Sequence, residues 1–283
     1  TSFYNNYEAL RDSIHYPVNT SKELSLYEFF RLLAYAYLKD YYLLINSPNT
    51  SYFRGYPPNN TNLKQFINQL SNNFARVVLL DFRQIFSDHP NTAQRIFPNN
   101  LTEPQLRIFK ELIHYLALYN QRAVADNPSP SYIYNLITSK IYNHLELASS
   151  GKIMSDTELS NLLAVLCIDS QNSEILDPGC GDGALLDASY DRLSYLATSS
   201  RNPKTHNELL SQVNGIEIDP FLSQLAAFRL LSKNLIQIEA GTDINILNGD
   251  IFSNPRPNRY DVVLMNPPFL RNDNPESPIT VAD

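Results

Sequence analysis

Ile175-Leu-Asp-Pro-Gly-Cys-Gly-Asp-Gly183 runs from a short apolar segment into a glycine-rich turn, and Leu185–Ala197 beyond it reads as a helix. A strand that ends on an acid, turns on glycines and opens a helix is the start of a βαβ unit. The same grammar continues outward. Strands are predicted at Glu174–Leu176, Val213–Ile218, Ile244–Leu247 and Asp261–Met265, with a helix at Phe221–Asn234. Alternation of this kind predicts a parallel sheet whose ligands sit at the carboxyl ends of the strands.

Upstream the pattern is different. From Thr1 to about Ser150 the only glycine is Gly55, and apolar residues recur at three and four, the spacing of helices. Thr20-Ser-Lys-Glu23 reads as a capping box opening Leu24–Ile45, and Thr102-Glu-Pro-Gln105 as another opening Leu106–Val124. Leu63–Ile85 and Tyr132–Leu147 read as further helices, and Ser155-Asp-Thr-Glu158 as a capping box opening a short helix to Cys167. The predicted fold class is therefore α/β: a helical N-terminal domain, 1–150, followed by a Rossmann-like domain, 151–283. The tyrosines of the helical region (Tyr27, Tyr35, Tyr37, Tyr41, Tyr42, Tyr115, Tyr119) read as helix packing, with a stacking surface for bases as the other reading.

Composition sets limits. At 283 residues and 32.3 kDa, with 43% apolar and 18% charged residues, the chain is neither a disulfide-stapled miniprotein nor disordered, coiled-coil or collagen-like. Two cysteines, Cys167 and Cys180, make no disulfide framework and no four-ligand metal site; no metal is expected. No window approaches the ~20 apolar residues of a bilayer span, and Thr1–Leu10 lacks signal-peptide regions, so a cytoplasmic protein with no membrane partner is expected. The start at Thr1 suggests a chain processed or cut from something larger. The net charge of −7 is uneven: 1–150 carry 13 Lys+Arg against 11 Asp+Glu, and 151–283 carry 9 against 18. That acidity does not suit a complete nucleic-acid-binding protein.

Each chemical motif lies at a predicted strand end. The glycine turn is not a phosphate loop, since no Lys follows, and its G-x-G-x-G spacing with a preceding Asp177 differs from the dinucleotide fingerprint. Asp177 suits a cationic or amine-bearing ligand. Cys180, between glycines and with no local His, reads as a small filler and not a nucleophile. Asn214-Gly-Ile-Glu-Ile-Asp-Pro220 places Glu217 where a carboxylate can accept from ribose hydroxyls, while Asp219 before Pro220 reads as a helix N-cap. Asn248-Gly-Asp-Ile-Phe252 offers Asp250 as acceptor for an exocyclic amine such as adenine N6. Finally, Tyr260-Asp-Val-Val-Leu-Met-Asn-Pro-Pro-Phe269 drives an apolar strand into two prolines that can neither extend a helix nor donate to a ladder. The turn fixes the Asn266 amide and the Pro267 carbonyl as acceptors beside the flat ring of Phe269, a cradle for a planar group bearing an amino nitrogen.

Together, Asp177-Pro-Gly-Cys-Gly-Asp-Gly183, Gly215-Ile-Glu-Ile-Asp-Pro220 and Asn266-Pro-Pro-Phe-Leu-Arg271 resemble S-adenosylmethionine-dependent N6-adenine DNA methyltransferases. Motif order is similar to the branch of type I modification subunits and fused restriction-modification enzymes. The resemblance implies S-adenosylmethionine as cofactor, with Asp177, Gly179, Cys180 and Gly181 at the turn that receives its methionine end. Glu217 would hold its ribose hydroxyls, Ile218 and Ile251 would flank its adenine, and Asp250 would bind the adenine N6. It also implies that Asn266, Pro267, Pro268 and Phe269 form the catalytic motif, orienting a flipped target adenine. Gly151-Lys-Ile-Met-Ser-Asp156 stands where the family has Gly-x-x-x-Thr-Pro, with Asp156 in place of the proline.

Only 14 residues follow Phe269. The family's later strands and target-recognition domain are therefore expected beyond this chain, which would be the N-terminal portion of a larger methyltransferase, inactive on DNA alone and reaching DNA through regions beyond it. Methylation of protein glutamine or of RNA bases is the alternative, because those enzymes also use Asn-Pro-Pro-aromatic motifs. The helical region is a candidate module for docking a specificity or restriction subunit.

Overall fold

The computed structural model describes residues 21–55, 61–80, 82–86, 156–238, 244–253 and 260–267. The expected helices Leu106–Val124 and Tyr132–Leu147, the caps at Thr20 and Thr102, the Gly151 segment before Asp156, and Pro268, Phe269 and the tail lie outside the described residues. Two compact units emerge, the first holding the described residues up to 86 with the strip 234–238, the second 156–233 and 244–267.

In the first unit, α1 (Ser21–Leu44), a 3-10 turn (Pro48–Tyr52), α2 (Leu63–Val78) and α3 (Arg83–Phe86) enclose an aromatic core. Phe30, Tyr35, Tyr37, Tyr42, Phe53, Phe66, Phe74, Phe82 and Phe86 are buried. Tyr35, Tyr37 and Tyr42 are thus packing residues, and burial raises all three phenols, Tyr35 to about 12. Their polar ends are satisfied locally. The Tyr35 hydroxyl donates to the Arg54 carbonyl and accepts from the Arg54 amide, both at 2.8 Å. Tyr42 donates to the Leu235 carbonyl at 3.0 Å, which ties 234–238 to this unit. Arg31, also buried, donates to the Phe86 carbonyl at 2.7 Å and lies 4.8 Å over the Phe74 ring.

The expected helix Leu63–Ile85 is in fact broken. α2 stops at Val78, Leu79 and Leu80 close it with bonds to Arg76 and Val77, and the chain restarts at Arg83. The break lets Leu80, Phe82, Ile85 and Phe86 all turn inward, which one continuous helical face could not do.

The second unit is a parallel sheet in the order β3-β2-β1-β4, built from β1 (Ile175–Asp177), β2 (Val213–Glu217), β3 (Ile246–Asn248) and β4 (Val262–Val263). The α/β class and the parallel sheet expected from the sequence are observed. Helices α4 (Thr157–Cys167), α5 (Ala184–Ser199), α6 (His206–Gln212) and α7 (Pro220–Leu231) accompany it. Register aligns Asp177 with Gly215, Glu217 with Asn248, and Leu176 with Val263. Chain order reverses at β1, which has β2 on one side and β4 on the other, so the carboxyl ends of β1 and β4 flank the switch point.

Several local expectations shift. The cap of α4 is Asp156, not Ser155: its carboxylate accepts from the amides of Glu158 and Leu159 at 2.8 and 3.2 Å. The helix expected at Phe221–Asn234 ends at Leu231 and passes into a 3-10 turn, Ser232–Gln237, kinked at Asn234. α6 was not anticipated, although Thr205-His-Asn-Glu208 is a complete capping box in the structure. Among the described residues no helix is long and apolar enough to cross a membrane.

Candidate functional site

The site begins with the turn after β1. The Cys180 amide donates to the Ile216 carbonyl at 3.0 Å and the Gly183 amide to the Cys180 carbonyl at 2.8 Å, which curls the turn over the end of β2. Gly181 and Gly183 have φ of +53° and +82°, where side chains are strained. A Cβ on Gly183 would lie 3.0 Å from Ala226 of α7, so this glycine also lets α5 start against that helix. Around Gly181, by contrast, a Cβ would meet nothing within 4 Å among the described residues. That face over the half-buried Gly181 backbone is where a ligand can approach closely.

Beneath the turn Gly215 lets β2 pass. A Cβ there would come within 2.7 Å of Leu186 and 2.9 Å of the Cys180 sulfur. Cys180 itself is buried, and burial, with Asp177 and Glu217 nearby, pushes its thiol well above the usual range. It is a filler.

Two buried carboxylates organise the strand ends. Asp177 accepts from the Gly179 amide at 3.1 Å, and burial, opposed by that bond and reinforced by Glu217, pushes it up to about 7. Glu217 accepts from the Gly181 amide on Oε2 and from the Asp219 amide on Oε1, each at 2.8 Å. A carboxylate offers about four acceptor sites, so anchoring by two amides does not by itself exhaust it. The end of β2 is held from β3 as well: the Gly249 amide and the Asn248 side chain both donate to the Glu217 carbonyl at 2.9 Å, and Asn248 also reaches the Ile218 carbonyl at 3.2 Å. Ile218 is left 64% exposed, an apolar side chain displayed at a strand end. Asp219 caps α7 through the amides of Phe221 and Leu222 at 2.9 and 3.2 Å, as its sequence position before Pro220 implies.

The remaining expected residues are placed as follows. Asp250 closes a turn on itself, accepting from the Phe252 amide and the Ser253 hydroxyl, both at 3.0 Å. Ile251 follows it, partly exposed. At the end of β4, Met265 comes within 3.2 Å of a Cβ position on Gly179, bringing the strand end that carries Asn266 against the glycine turn. Asn266 is partly exposed and Pro267 exposed.

Sequence reasoning passed over Asp182. It is buried, accepts from the Ala184 amide at 3.3 Å and pairs with Arg229 at 3.2 Å. Burial raises its carboxyl to about 6 against the pull of Arg229. The one available signal was an acid inside a glycine turn, and its partner lies 47 residues away, in no motif. In sum, the turn supplies a backbone surface open to close approach, the strand ends supply acidic acceptors, and an exposed isoleucine supplies an apolar wall. Such a set can hold a ligand with cationic, hydroxyl-bearing and planar apolar parts.

Residues 131–280 match the N-6 DNA Methylase family. Among solved structures the chain is similar to the type IIG restriction endonuclease BpuSI, with a TM-score of 0.52 and 16% identity over 95% of this chain and 27% of that one. At that identity the likeness is one of fold, and the chain spans about a quarter of that enzyme's length. No curated protein matches the sequence. With more than half of its residues under the family match, and with the glycine turn, acidic strand ends and Asn-Pro turn set at one edge of the sheet, the chain belongs to the N-6 DNA methylase family.

Proposed function

We propose that this chain is the cofactor-binding and catalytic portion of an enzyme that methylates adenine N6 in DNA, using S-adenosylmethionine, within a restriction-modification system. The observation that carries the reading is the convergence of Asp177, Glu217 and Asp250 at the carboxyl ends of three adjacent strands, beside the Asn266 turn of the fourth. The residues fit the cofactor: an open backbone face at Gly181, buried carboxylates, and an exposed Ile218. When bound, S-adenosylmethionine supplies an electrophilic methyl group on a sulfonium.

The chain's own residues do the rest by placement. Asp177, Gly179 and Gly181 receive the cationic amino-acid end, with Cys180 filling the space below. Glu217 accepts from ribose hydroxyls, Ile218 and Ile251 flank the adenine ring, and Asp250 accepts from its amino group once its turn bonds are shared. Asn266 and the Pro267 carbonyl accept from the N6 hydrogens of the target base and leave the nitrogen lone pair directed at the methyl, with Pro268 stiffening the turn and Phe269 stacking on the base. No covalent intermediate is required. The N-terminal residues 1–150 serve to dock a specificity or restriction subunit, and residues 151–283 carry the catalytic site.

The test is transfer of labelled methyl by the complete protein, offered unmethylated plasmid DNA, bulk RNA and release-factor protein in parallel, with Asn266→Ala as control. Label recovered as N6-methyladenine in DNA, and lost in the variant, supports the proposal. Label on RNA or on protein glutamine alone overturns the substrate while keeping the cofactor site.

A further inference from the structure

The glycine turn holds one charged side chain. Of Gly179-Cys-Gly-Asp-Gly183, the two glycines flanking Asp182 sit at positive φ, conformations that glycine leaves easily because nothing on its Cα resists rotation. Beside the backbone bonds of Cys180, Gly181 and Gly183, one side chain of the turn helps to hold it. Asp182 is 3% exposed, and its two oxygens are taken by the Ala184 amide and by Nη1 of Arg229.

Arg229 lies in the last turn of α7, away from every sequence motif. Its Nε lies 3.5 Å from Asp187, and Lys233 carries the row onward to Asp187 at 2.8 Å and Asp191 at 2.7 Å. Asp187 and Asp191 belong to α5, so those pairs join α5 to the end of α7 and the 3-10 turn that follows it. The Arg229–Asp182 bond is different in kind, because it runs from α7 to the turn itself. A buried carboxylate needs such a partner to stay ionised. The next residue back, Gly181, donates its amide to Glu217 at 2.8 Å, so a displaced Asp182 would move the contact that sets Glu217.

We infer that Arg229 is a positioning residue: by holding Asp182 it fixes the backbone of Gly181 and Gly183, and through them the geometry in which the turn and Glu217 receive the cofactor. This rests on reading the turn as the cofactor site. Arg229 lies in the last turn of α7 and at no strand end, so its loss is expected to weaken cofactor binding and spare the chemical step.

The experiment measures S-adenosylmethionine affinity by calorimetry, and its KM and kcat, in the complete protein and in Arg229→Met, Arg229→Lys and Lys233→Met. Arg229→Met is expected to weaken binding about tenfold or more with a parallel rise in KM, while kcat at saturating cofactor stays within about threefold, since misplacement alone is costly. Arg229→Lys, which keeps the charge, recovers part of the loss. Lys233→Met removes two ion pairs outside the turn, so it lowers the thermal midpoint but leaves affinity within about twofold. Should Arg229→Met fail to fold, D182N/R229Q leaves no buried charge unpaired, and the same loss of affinity is expected. Equal losses in the Arg229 and Lys233 variants would show a merely structural network and overturn the inference, as would unchanged affinity in Arg229→Met. A wild-type protein that binds no S-adenosylmethionine refutes the site reading itself, and the inference with it.

Discussion

The amide of Gly181 donates to the carboxylate of Glu217 over 2.8 Å, joining the turn after β1 to the end of β2 across 36 positions of chain. One side chain therefore both organises the site and stands in it. Glu217→Ala strips two backbone amides of their acceptor, and at about 1.5 kcal/mol or more for each bond to a charged group it should lower unfolding free energy by about 3 kcal/mol, read from urea denaturation. Glu217→Gln, which can still accept one of the two, should lose about half as much.

Gly215 makes a sharper steric prediction. Ala at this position would drive its methyl to 2.7 Å from Leu186 and 2.9 Å from the Cys180 sulfur, and overpacking of that kind costs about 1–3 kcal/mol. Gly55→Ala, with nothing within 4 Å among the described residues, is the matched control and should stay within about 0.5 kcal/mol of wild type. Denaturant midpoints compare the two directly.

Asp177 should make cofactor affinity depend on pH near neutrality. With its folded value pushed up to about 7, it is largely protonated below pH 7 and ionised above. A ligand that needs the ionised form must release that proton to bind in acid, so affinity for cationic S-adenosylmethionine should fall by up to about tenfold per pH unit below 7 and level off above. Asp177→Asn should flatten the profile. The sign for stability is the opposite of the usual carboxylate: a raised folded value gives stability that is present below about 3.8 and lost as pH rises through 7.

His206 acts in the other direction. Buried against Tyr190, whose hydroxyl lies 2.7 Å from its Nδ1, it is lowered from 6.5 to about 4 by burial. The unfolded chain binds a proton below pH 6.5 that the folded chain refuses until about 4, so stability is lost as pH falls through that window, with a slope of up to about 1.4 kcal/mol per pH unit. Asp177 and Asp182 work oppositely in the same range. The difference between wild type and His206→Gln, followed by thermal melts from pH 7 to 4, isolates the histidine and should shrink as pH falls.

How far the sequence could be read is best judged at single residues. Asp219 was legible as a cap because a proline behind an acid has few other uses, and Cys180 as filler because glycines on both sides imply a crowded turn. Apolar periodicity alone predicts one helix through Leu63–Ile85, because it does not record that Leu80, Phe82, Ile85 and Phe86 must all reach the same core. The cap at Asp156 displaced Ser155 because both residue types cap well and only the backbone chooses between them. Arg229 was illegible for a deeper reason. Its importance lies in a bond to a residue 47 positions earlier, and no local pattern carries that distance. The strand-end motifs, each local in sequence, lie at the ends of strands as the alternation of elements implies.

The strand order has a consequence for how the molecule is made. β1 pairs first with β2, 38 positions downstream, whereas β4 joins the far side of β1 only after 87 positions. A chain growing from its amino end therefore completes the glycine turn, Glu217 and the Arg229 brace while Asn266 is still unsynthesised. Under the proposed assignment, synthesis thus runs from the residues that hold the cofactor to the asparagine that orients the target base.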